Sequence, residues 1–360
     1  MSSLYLKIAT RYLLKNKLYS IINIAGLAIG MASFCLILLY VNYERSYDKF
    51  DGSENVYRVF MDYKEGNNFV PGDAQAYNLS GPTLVKEFPE ILEQVRLYHM
   101  GDVTLVRDDV VLGNIRGALA DSTYFDIFRY PLLEGDQKSI LKEPNTIVLT
   151  QSLAKKLFGK VDPLGKIVSV FWGSKVLMKV TGIMDDIRDN THIKNSFLIS
   201  FPTFWTWDMF QGQQTLNWDQ NNFFTYIKVD KNANIDALRS KIQANNADGS
   251  DDERHNIEPL EEIHLYSHKP YEAEANGSVS RVQFLSIIAL IILLLSWLNY
   301  VNLATAKSME RAKEIGIRKV VGSQKSQIVW QTFVESLLIN GIALVLALIL
   351  VTSVLPVFMA

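Results

Sequence analysis

Three uncharged apolar runs constrain this chain more than any other feature of its sequence: Ile21 to Val41, Val282 to Ala306, and Ser336 to Ala360. Each reaches the roughly 20 residues that an α-helix needs to cross a hydrocarbon core about 30 Å thick. In lipid the backbone must satisfy its own hydrogen bonds, so each run is expected to be a helix. One such run can hide in a large soluble core; three among 360 residues point to a bilayer. Average composition does not decide the matter, because 48% hydrophobic residues and a mean hydropathy of +0.07 fit either class. What decides is how the apolar residues are segregated.

Flanking charge sets the expected orientation. Lys7, Arg11, Lys15 and Lys17 precede the first run with no acidic residue among them. Lys307, Arg311, Lys313, Arg318, Lys319 and Lys325 lie between the second and third runs, against Glu310, Glu314 and Glu335. The long middle segment, 42–281, carries 26 basic and 35 acidic residues. Basic flanks stay in the cytoplasm, which places the N-terminus inside and the middle segment outside. The first run is longer than the roughly 7–15 apolar residues of a signal peptide, and no small-x-small cleavage pattern follows it. It is read as an uncleaved anchor.

The expected fold class is α+β: transmembrane helices, with a mixed α/β extracytoplasmic domain inserted between helices 1 and 2. Residues 1–20 read either as a basic amphipathic helix lying on the inner membrane surface or as a basic tail that only sets topology. In the helical reading Lys7, Arg11 and Lys15 form one stripe and Leu4, Ile8 and Tyr12 a neighbouring one. The expected order is then a first span at 21–41, the outer domain at 42–281, a second span at 282–306, a cytoplasmic loop at 307–335 and a third span at 336–360.

Within the outer segment, Val56–Met61 alternates like a strand, and Thr146–Leu149 is a short apolar strand. Ser80 is placed to cap a helix with Pro82 in its first turn, and Thr150 to cap a helix over Gln151–Phe158 that ends at Gly159. Val168–Phe171 and Val176–Thr181 read as a hairpin around Gly173-Ser174. Phe223–Val229 reads as a strand, followed by a helix near Ile235–Gln243. The stretch 245–254 reads as a loop and Glu272–Ser280 as a polar linker.

Chemistry is sparse. Gly159 to Lys166 has the wrong spacing for a phosphate loop, and Ile167 follows where Ser or Thr is needed, so no ATP site is expected in this chain. The five histidines form no H-E-x-x-H motif, and no G-x-S-x-G element occurs. His264 and His268 are four apart, but Pro259 and Pro270 flank them in a β-like stretch, which argues against a metal site. Asp185-Asp186 reads as a solvated turn. The single cysteine, Cys35, lies in the first run and excludes an internal disulfide. The near-neutral balance of 36 basic and 38 acidic residues argues against nucleic-acid binding. No catalytic residue, metal or cofactor is expected.

Polar features inside the spans concern packing. Gly26 and Gly30 make a small-xxx-small pair that allows two helices to approach closely, a pattern that also arises by chance in apolar helices. Asn299, Asn302 and Glu335 are costly in lipid and are expected to face protein or the membrane surface.

The stretch after the second span is the most informative. Ala306–Val321 continues as a helix, Gly322 breaks it, and Ser323 is placed to cap a second helix leading into the third span. Within it, Lys313-Glu314-Ile315-Gly316-Ile317-Arg318-Lys319-Val320-Val321-Gly322 resembles the loop motif of MacB/FtsX-like ABC transporter permeases. Asn145–Gly165, with Thr146-Ile147-Val148-Leu149-Thr150 and Lys156-Leu157-Phe158-Gly159, resembles the MacB-type periplasmic core domain. So does Ile263-His264-Leu265-Tyr266-Ser267 ahead of the second span, and Lys15-Asn16-Lys17 running into Asn23-Ile24-Ala25-Gly26-Leu27-Ala28-Ile29-Gly30 also resembles the permease family.

The resemblance implies a non-catalytic permease subunit in a bacterial inner membrane, worked by a separate ABC ATPase that exports or extracts a substrate. It implies that Glu314, Ile315, Gly316, Arg318, Lys319 and Gly322 form the ATPase-docking loop: Ile315 an apolar anchor, Glu314 and Arg318 charge partners, Gly316 a point of close approach. It implies membrane lipid, a second permease copy or fused second half, and periplasmic or outer-membrane proteins as partners. The family unit has four helices, so the three runs here correspond to a form truncated after the third. A second implied reading is a mechanotransmitting subunit that regulates a periplasmic enzyme or reports a ligand without transport.

Overall fold

The computed structural model describes residues 2–15, 17–207, 216–245, 247–321 and 324–358. The chain divides into two compact units, one formed by 1–45 with 279–360 and the other by 46–278. The chain starts with two helices, α1 (Ser2–Lys15) and α2 (Lys17–Arg45). Lys7, Arg11 and Lys15 are exposed on α1, Ile8 is half-buried, and Leu13 is buried; the side chains of Leu4 and Tyr12 lie outside the described residues.

The 46–278 unit combines two sheet constructions. Strand β1 (Val56–Glu65) pairs with β2 (Asn68–Pro71), and α3 (Ser80–Glu87) leads into the long β3 (Ile91–Arg107). Strand β4 (Val110–Ala120), helix α4 (Tyr124–Phe128), β5 (Leu132–Gly135) and β6 (Thr146–Thr150) follow. Next come α5 (Gln151–Phe158), β7 (Ile167–Trp172), β8 (Ser174–Met184) and β9 (Phe197–Ser200). The unit ends with β10 (Phe224–Val229), α6 (Ile235–Gln243), β11 (Glu253–Pro259) and a single turn, α7 (Ile263–Tyr266).

Strands β11, β1, β10 and β3 lie side by side, all antiparallel. With α3 after β1 and α6 after β10, this is a β-α-β and β-α-β arrangement. Its core holds Val59, Met61, Ile227 and Ile257 from the strands, Leu84 from α3, and Leu238 and Ile242 from α6. Between β3 and β10 the chain inserts the second construction. There β3, β4, β9, β6, β8 and β7 pair in turn, and β7 pairs back onto β3, closing a ring of six strands. Val103, Leu105, Ile147, Val168, Val170, Met178 and Ile199 fill the ring, and α5 closes it with Leu153, Leu157 and Phe158. Along β7 and the first part of β8 buried and exposed residues alternate, one face to the core and one to solvent, whereas β6 and β9 are buried throughout.

Several expectations meet the structure directly. Helices α5 and α6 and the β7–β8 hairpin lie where their turn and cap residues place them. Others are corrected. Ser80 is not a cap: Leu79 holds that position, and the Ser80 hydroxyl is buried 2.7 Å from His255 Nε2. Thr150 makes no side-chain cap, and the α5 N-terminus is capped from a distance by Asp186, whose Oδ1 accepts from the Ser152 amide at 2.9 Å. The stretch around His264 is a helical turn rather than β-like, because Leu260, Ile263 and Leu265 must all bury. The expected loop at 245–254 ends earlier, since Glu253 and Arg254 already pair with β1.

Two helices complete the first unit, α8 (Val279–Val320) and α9 (Lys325–Phe358). Together with α2 they are long and apolar enough to cross a membrane. Leu27 and Ala28 of α2 share one buried cluster with Ile339 and Ala343 of α9, and Ala32 a second with Ala347 and Val351.

Candidate functional site

Helix α8 runs without a break through 42 residues, from the end of the 46–278 unit to the basic stretch beyond the apolar run. At 1.5 Å per residue that is about 63 Å, roughly twice the thickness of a hydrocarbon core. Glu314, Ile315, Gly316, Arg318 and Lys319 all fall on its last turns. Gly316 is exposed, with nothing within 4 Å of the place its Cβ would occupy. The side chains of Glu314, Ile315, Arg318 and Lys319, and all of Gly322, lie outside the described residues. Three apolar residues that sequence reasoning passed over stand out here: Ile317, Val320 and Val321 are 58, 89 and 82% exposed. They are spaced three and four apart, and the Val321 amide still donates to the Ile317 carbonyl at 3.1 Å, so they share one helical face. Their signal was available in the sequence as an i, i+3, i+4 pattern.

Inside the apolar runs, Gly26 and Gly30 of α2 both face α8. A Cβ on Gly30 would lie 1.8 Å from Ser296 Oγ, and one on Gly26 would lie 3.4 Å from Asn299 Nδ2. Backbones at that distance leave no room for a side chain on Gly30. Glu335 is buried and accepts from Gln331 Nε2 at 3.0 Å, whereas Asn299 and Asn302 are exposed in this three-helix unit.

Both ends of the 46–278 unit are pinned by buried polar networks. Just after the chain leaves α2, Asp48 takes Thr191 Oγ1 at 2.6 Å and the His192 amide at 3.2 Å on Oδ1, and His192 Nδ1 at 2.7 Å on Oδ2. His192 Nε2 lies 2.7 Å from the Tyr226 hydroxyl, so a ring protonated at Nδ1 accepts from the tyrosine and satisfies every member. Burial raises the Asp48 carboxyl, but the electrostatic attraction of the His192 ring and the hydrogen bonds donated by His192 and Thr191 outweigh it, and the net shift is downward. Tyr47 stacks on His264 with ring centroids 3.4 Å apart.

The other end carries a fully buried arginine. Arg58 donates from Nε at 2.9 Å and Nη2 at 2.6 Å to Glu258 Oε1, and from Nη1 and Nη2 to both oxygens of Glu272. Nη2 also reaches Ser267 Oγ at 2.9 Å, and Lys269 Nζ donates to Glu258 Oε2 at 2.6 Å. The expected polar linker at Glu272–Ser280 is therefore locked to the domain at its first residue. Burial raises the Glu272 carboxyl, but hydrogen bonding and charge from Arg58 pull it down further. A buried, fully donated guanidinium of this kind fixes geometry more than it adds stability.

Reactive chemistry does not converge. Among the described residues, no three His, Cys, Asp or Glu side chains come together as metal ligands. Asp185 and Asp186 are exposed. A groove of about 540 Å³ runs beside α5, lined by Leu133, Glu134, Lys155, Val161 and Asp186 among others; no nucleophile–base pair accompanies it.

Comparison with known proteins adds two family matches. The profile of the MacB-like periplasmic core domain matches residues 20–245, and that of the FtsX-like permease C-terminal region matches 286–360. The chain is 23% identical over 343 residues to the macrolide export ATP-binding/permease protein MacB of Neisseria gonorrhoeae, covering 92% of this chain and 50% of that one. It is 24% identical over 338 residues to the probable syringafactin export ATP-binding/permease protein SyfD of Pseudomonas syringae, covering 91% and 47%. The chain thus spans about half the length of the curated relatives it matches. The crystal structure of the periplasmic region of MacB from Actinobacillus actinomycetemcomitans aligns with a TM-score of 0.42 at 16% identity, over 59% of this chain and 91% of that one.

Proposed function

We propose, for a chain that belongs to the family of ABC-type permeases with a MacB-like periplasmic core domain and an FtsX-like permease region, that it couples an ATPase in the cytoplasm to movement of residues 46–278 outside the membrane. The observation that carries this reading is the unbroken α8. A helix of that length is a stiff strut. One end carries the exposed face of Ile317, Val320 and Val321 on the same turns as Glu314, Ile315, Gly316, Arg318 and Lys319, with Gly322 next in the sequence; the other follows a segment whose Glu272 is clamped to Arg58. A displacement imposed on the first end has no flexible joint within the helix in which to dissipate.

In this reading the chain is itself non-catalytic, and ATP hydrolysis takes place on a separate subunit or domain. The N-terminus and the α8–α9 connection lie in the cytoplasm of a bacterial cell, and the helices sit in its inner membrane. The exposed faces of α8, including Asn299 and Asn302, are covered by further helices of the working assembly, from a second copy or a fused second half. The relatives' names speak of macrolide and syringafactin export, and in this reading the assembly exports or extracts a substrate. Gly26 and Gly30 hold α2 against α8 so that the two move together.

The test is co-purification. Gly316→Trp combined with Arg318→Glu should cut recovery of the ATPase with the membrane-extracted chain at least fivefold while leaving the amount of chain unchanged. Recovery equal to that of the unaltered chain would argue against docking at this turn.

A further inference from the structure

The basic row of α1 takes no part in the coupling proposed above. The sequence allows a surface helix or a plain basic tail over residues 1–20, and the structure makes this stretch a helix, Ser2–Lys15, fastened at its end. Leu13 is buried in one cluster with Leu27 and Ala28 of α2 and with Ile339 and Ala343 of α9. Its carbonyl accepts from Ser20 Oγ of α2 at 3.1 Å. Ser20 immediately precedes the first apolar run, and Ile339 is the fourth residue of the third. Leu13 is therefore held at the edge of the layer that the apolar runs span.

Arg11 and Lys15 are each two residues from Leu13, about 3 Å along the helix axis and about 200° around it. They share its level and point away from the cluster. Both are exposed, as are Lys7 and Lys17, and Lys7, Arg11 and Lys15 recur every four residues in one row. Leu14, three residues after Arg11, is 68% exposed, and Leu18 of α2 is 74% exposed. The chain offers these cations no counter-charge among the described residues. No acidic residue precedes Glu44. Glu335, at the head of the third run, is buried and bonded by Gln331, and none of the four cations pairs with a described carboxylate. The side chains of Glu310 and Glu314 lie outside the described residues. A cation held at the edge of hydrocarbon extends its charged end to the phosphate level while its stem covers apolar surface. Each Lys or Arg near an anionic lipid surface is worth about fivefold in binding.

We propose that Lys7, Arg11, Lys15 and Lys17 bind the headgroups of anionic phospholipids in the leaflet beside the N-terminus, with Leu14 and Leu18 against the adjoining acyl chains. Charge selects this occupant: four unpaired cations at the phosphate level favour a headgroup of net negative charge over a zwitterionic one. The inference rests on the membrane placement of the helices proposed above.

The experiment uses the full chain, with Cys35→Ala and a fluorophore on Leu14→Cys, in nanodiscs of phosphatidylcholine doped with a spin-labelled lipid. Spin-labelled phosphatidylglycerol should quench the fluorophore about threefold or more as efficiently as spin-labelled phosphatidylcholine at the same mole fraction. Lys7→Gln, Arg11→Gln, Lys15→Gln and Lys17→Gln together should abolish that preference and leave quenching by the zwitterionic lipid unchanged. Raising salt from about 0.05 M to about 0.5 M should weaken the preference in the chain that keeps all four cations. Equal quenching by the two lipids, a preference that survives both the substitutions and salt, or no quenching by either lipid would each overturn the proposal. The last result would mean that protein covers this face. Placement is read separately, with Thr10→Cys in the Cys35→Ala chain and an impermeant maleimide. Labelling of intact cells defeats the cytoplasmic placement of the N-terminus; labelling only after lysis, without a lipid preference in nanodiscs, defeats the headgroup proposal alone.

Discussion

The Arg58 guanidinium has no access to water and pairs with two mostly buried carboxylates, so removing it strips Glu272 of its cation and leaves Glu258 with Lys269 alone. Arg58→Ala should destabilise the 46–278 unit by about 3–5 kcal/mol, the usual cost of stranding a buried charge. Arg129→Ala, which removes the exposed pair with Asp51, should cost about 0–1 kcal/mol. Urea unfolding of the unit at pH 7 distinguishes the two. Acid should act in two stages. Burial, with His192 and Arg116 nearby, pushes the His99 imidazole down to about 4, whereas in the unfolded chain it titrates near 6.5. Between those values the unfolded chain binds more protons, so stability is complete above about pH 6.5 and falls as pH drops toward 4. Asp48 and Glu272 are lowered, so their contribution is present above the unfolded carboxylate range near 4 and is lost as pH falls below it. His99→Phe should make the upper stage shallower, the remainder belonging to His255, which burial also lowers, and should leave the lower stage; a curve unchanged between pH 6.5 and 4 would contradict this assignment. None of these contacts was legible in the sequence. Asp48 meets His192 across 144 residues and Arg58 meets Glu272 across 214, and no local pattern announces pairings at that separation.

Among the elements, α2 and α8 are packed around Gly30. Gly30→Ala forces a methyl group into Ser296 and should lower the melting temperature of the detergent-solubilised chain, by overpacking worth about 1–3 kcal/mol. Adding Ser296→Gly should recover most of the loss, and Gly26→Ala should be nearly neutral because its methyl meets Asn299 at ordinary contact distance. Equal effects at Gly26 and Gly30 would mean that the helices are not held as described. The same scale shows what sequence reasoning can reach. The apolar runs, α5, α6 and the β7–β8 hairpin carry their own start and stop residues, and they were legible. Strands β3 and β4 were not: Gly101-Asp102 interrupts the alternation of β3, and the outer residues of β4 are both polar and apolar. What makes them strands is their pairing with each other and with β7, β9 and β10. The basic motif near Gly316 was legible as a loop signature, and the helical continuation over Ala306–Val321 was expected and is met by α8; the i, i+3, i+4 spacing of Ile317, Val320 and Val321 stood in the sequence, but their exposure came with the structure.

For the whole molecule, the proposed function is mechanical: in it a stiff helix joins an end docked on an ATPase to a domain whose two entry segments are held by Asp48–His192 and Arg58–Glu272. The most direct test interrupts the strut and leaves both ends intact. Three glycines inserted between Ala306 and Lys307 give α8 a flexible joint just beyond its apolar run. Spin labels on residues 46–278 and at the outer end of α2, in the complex with its ATPase, would report their separation with and without a non-hydrolysable ATP analogue. The account predicts a nucleotide-dependent change of several ångströms in the continuous chain, and none in the interrupted chain even though the ATPase remains bound. A change of the same size in both would contradict it.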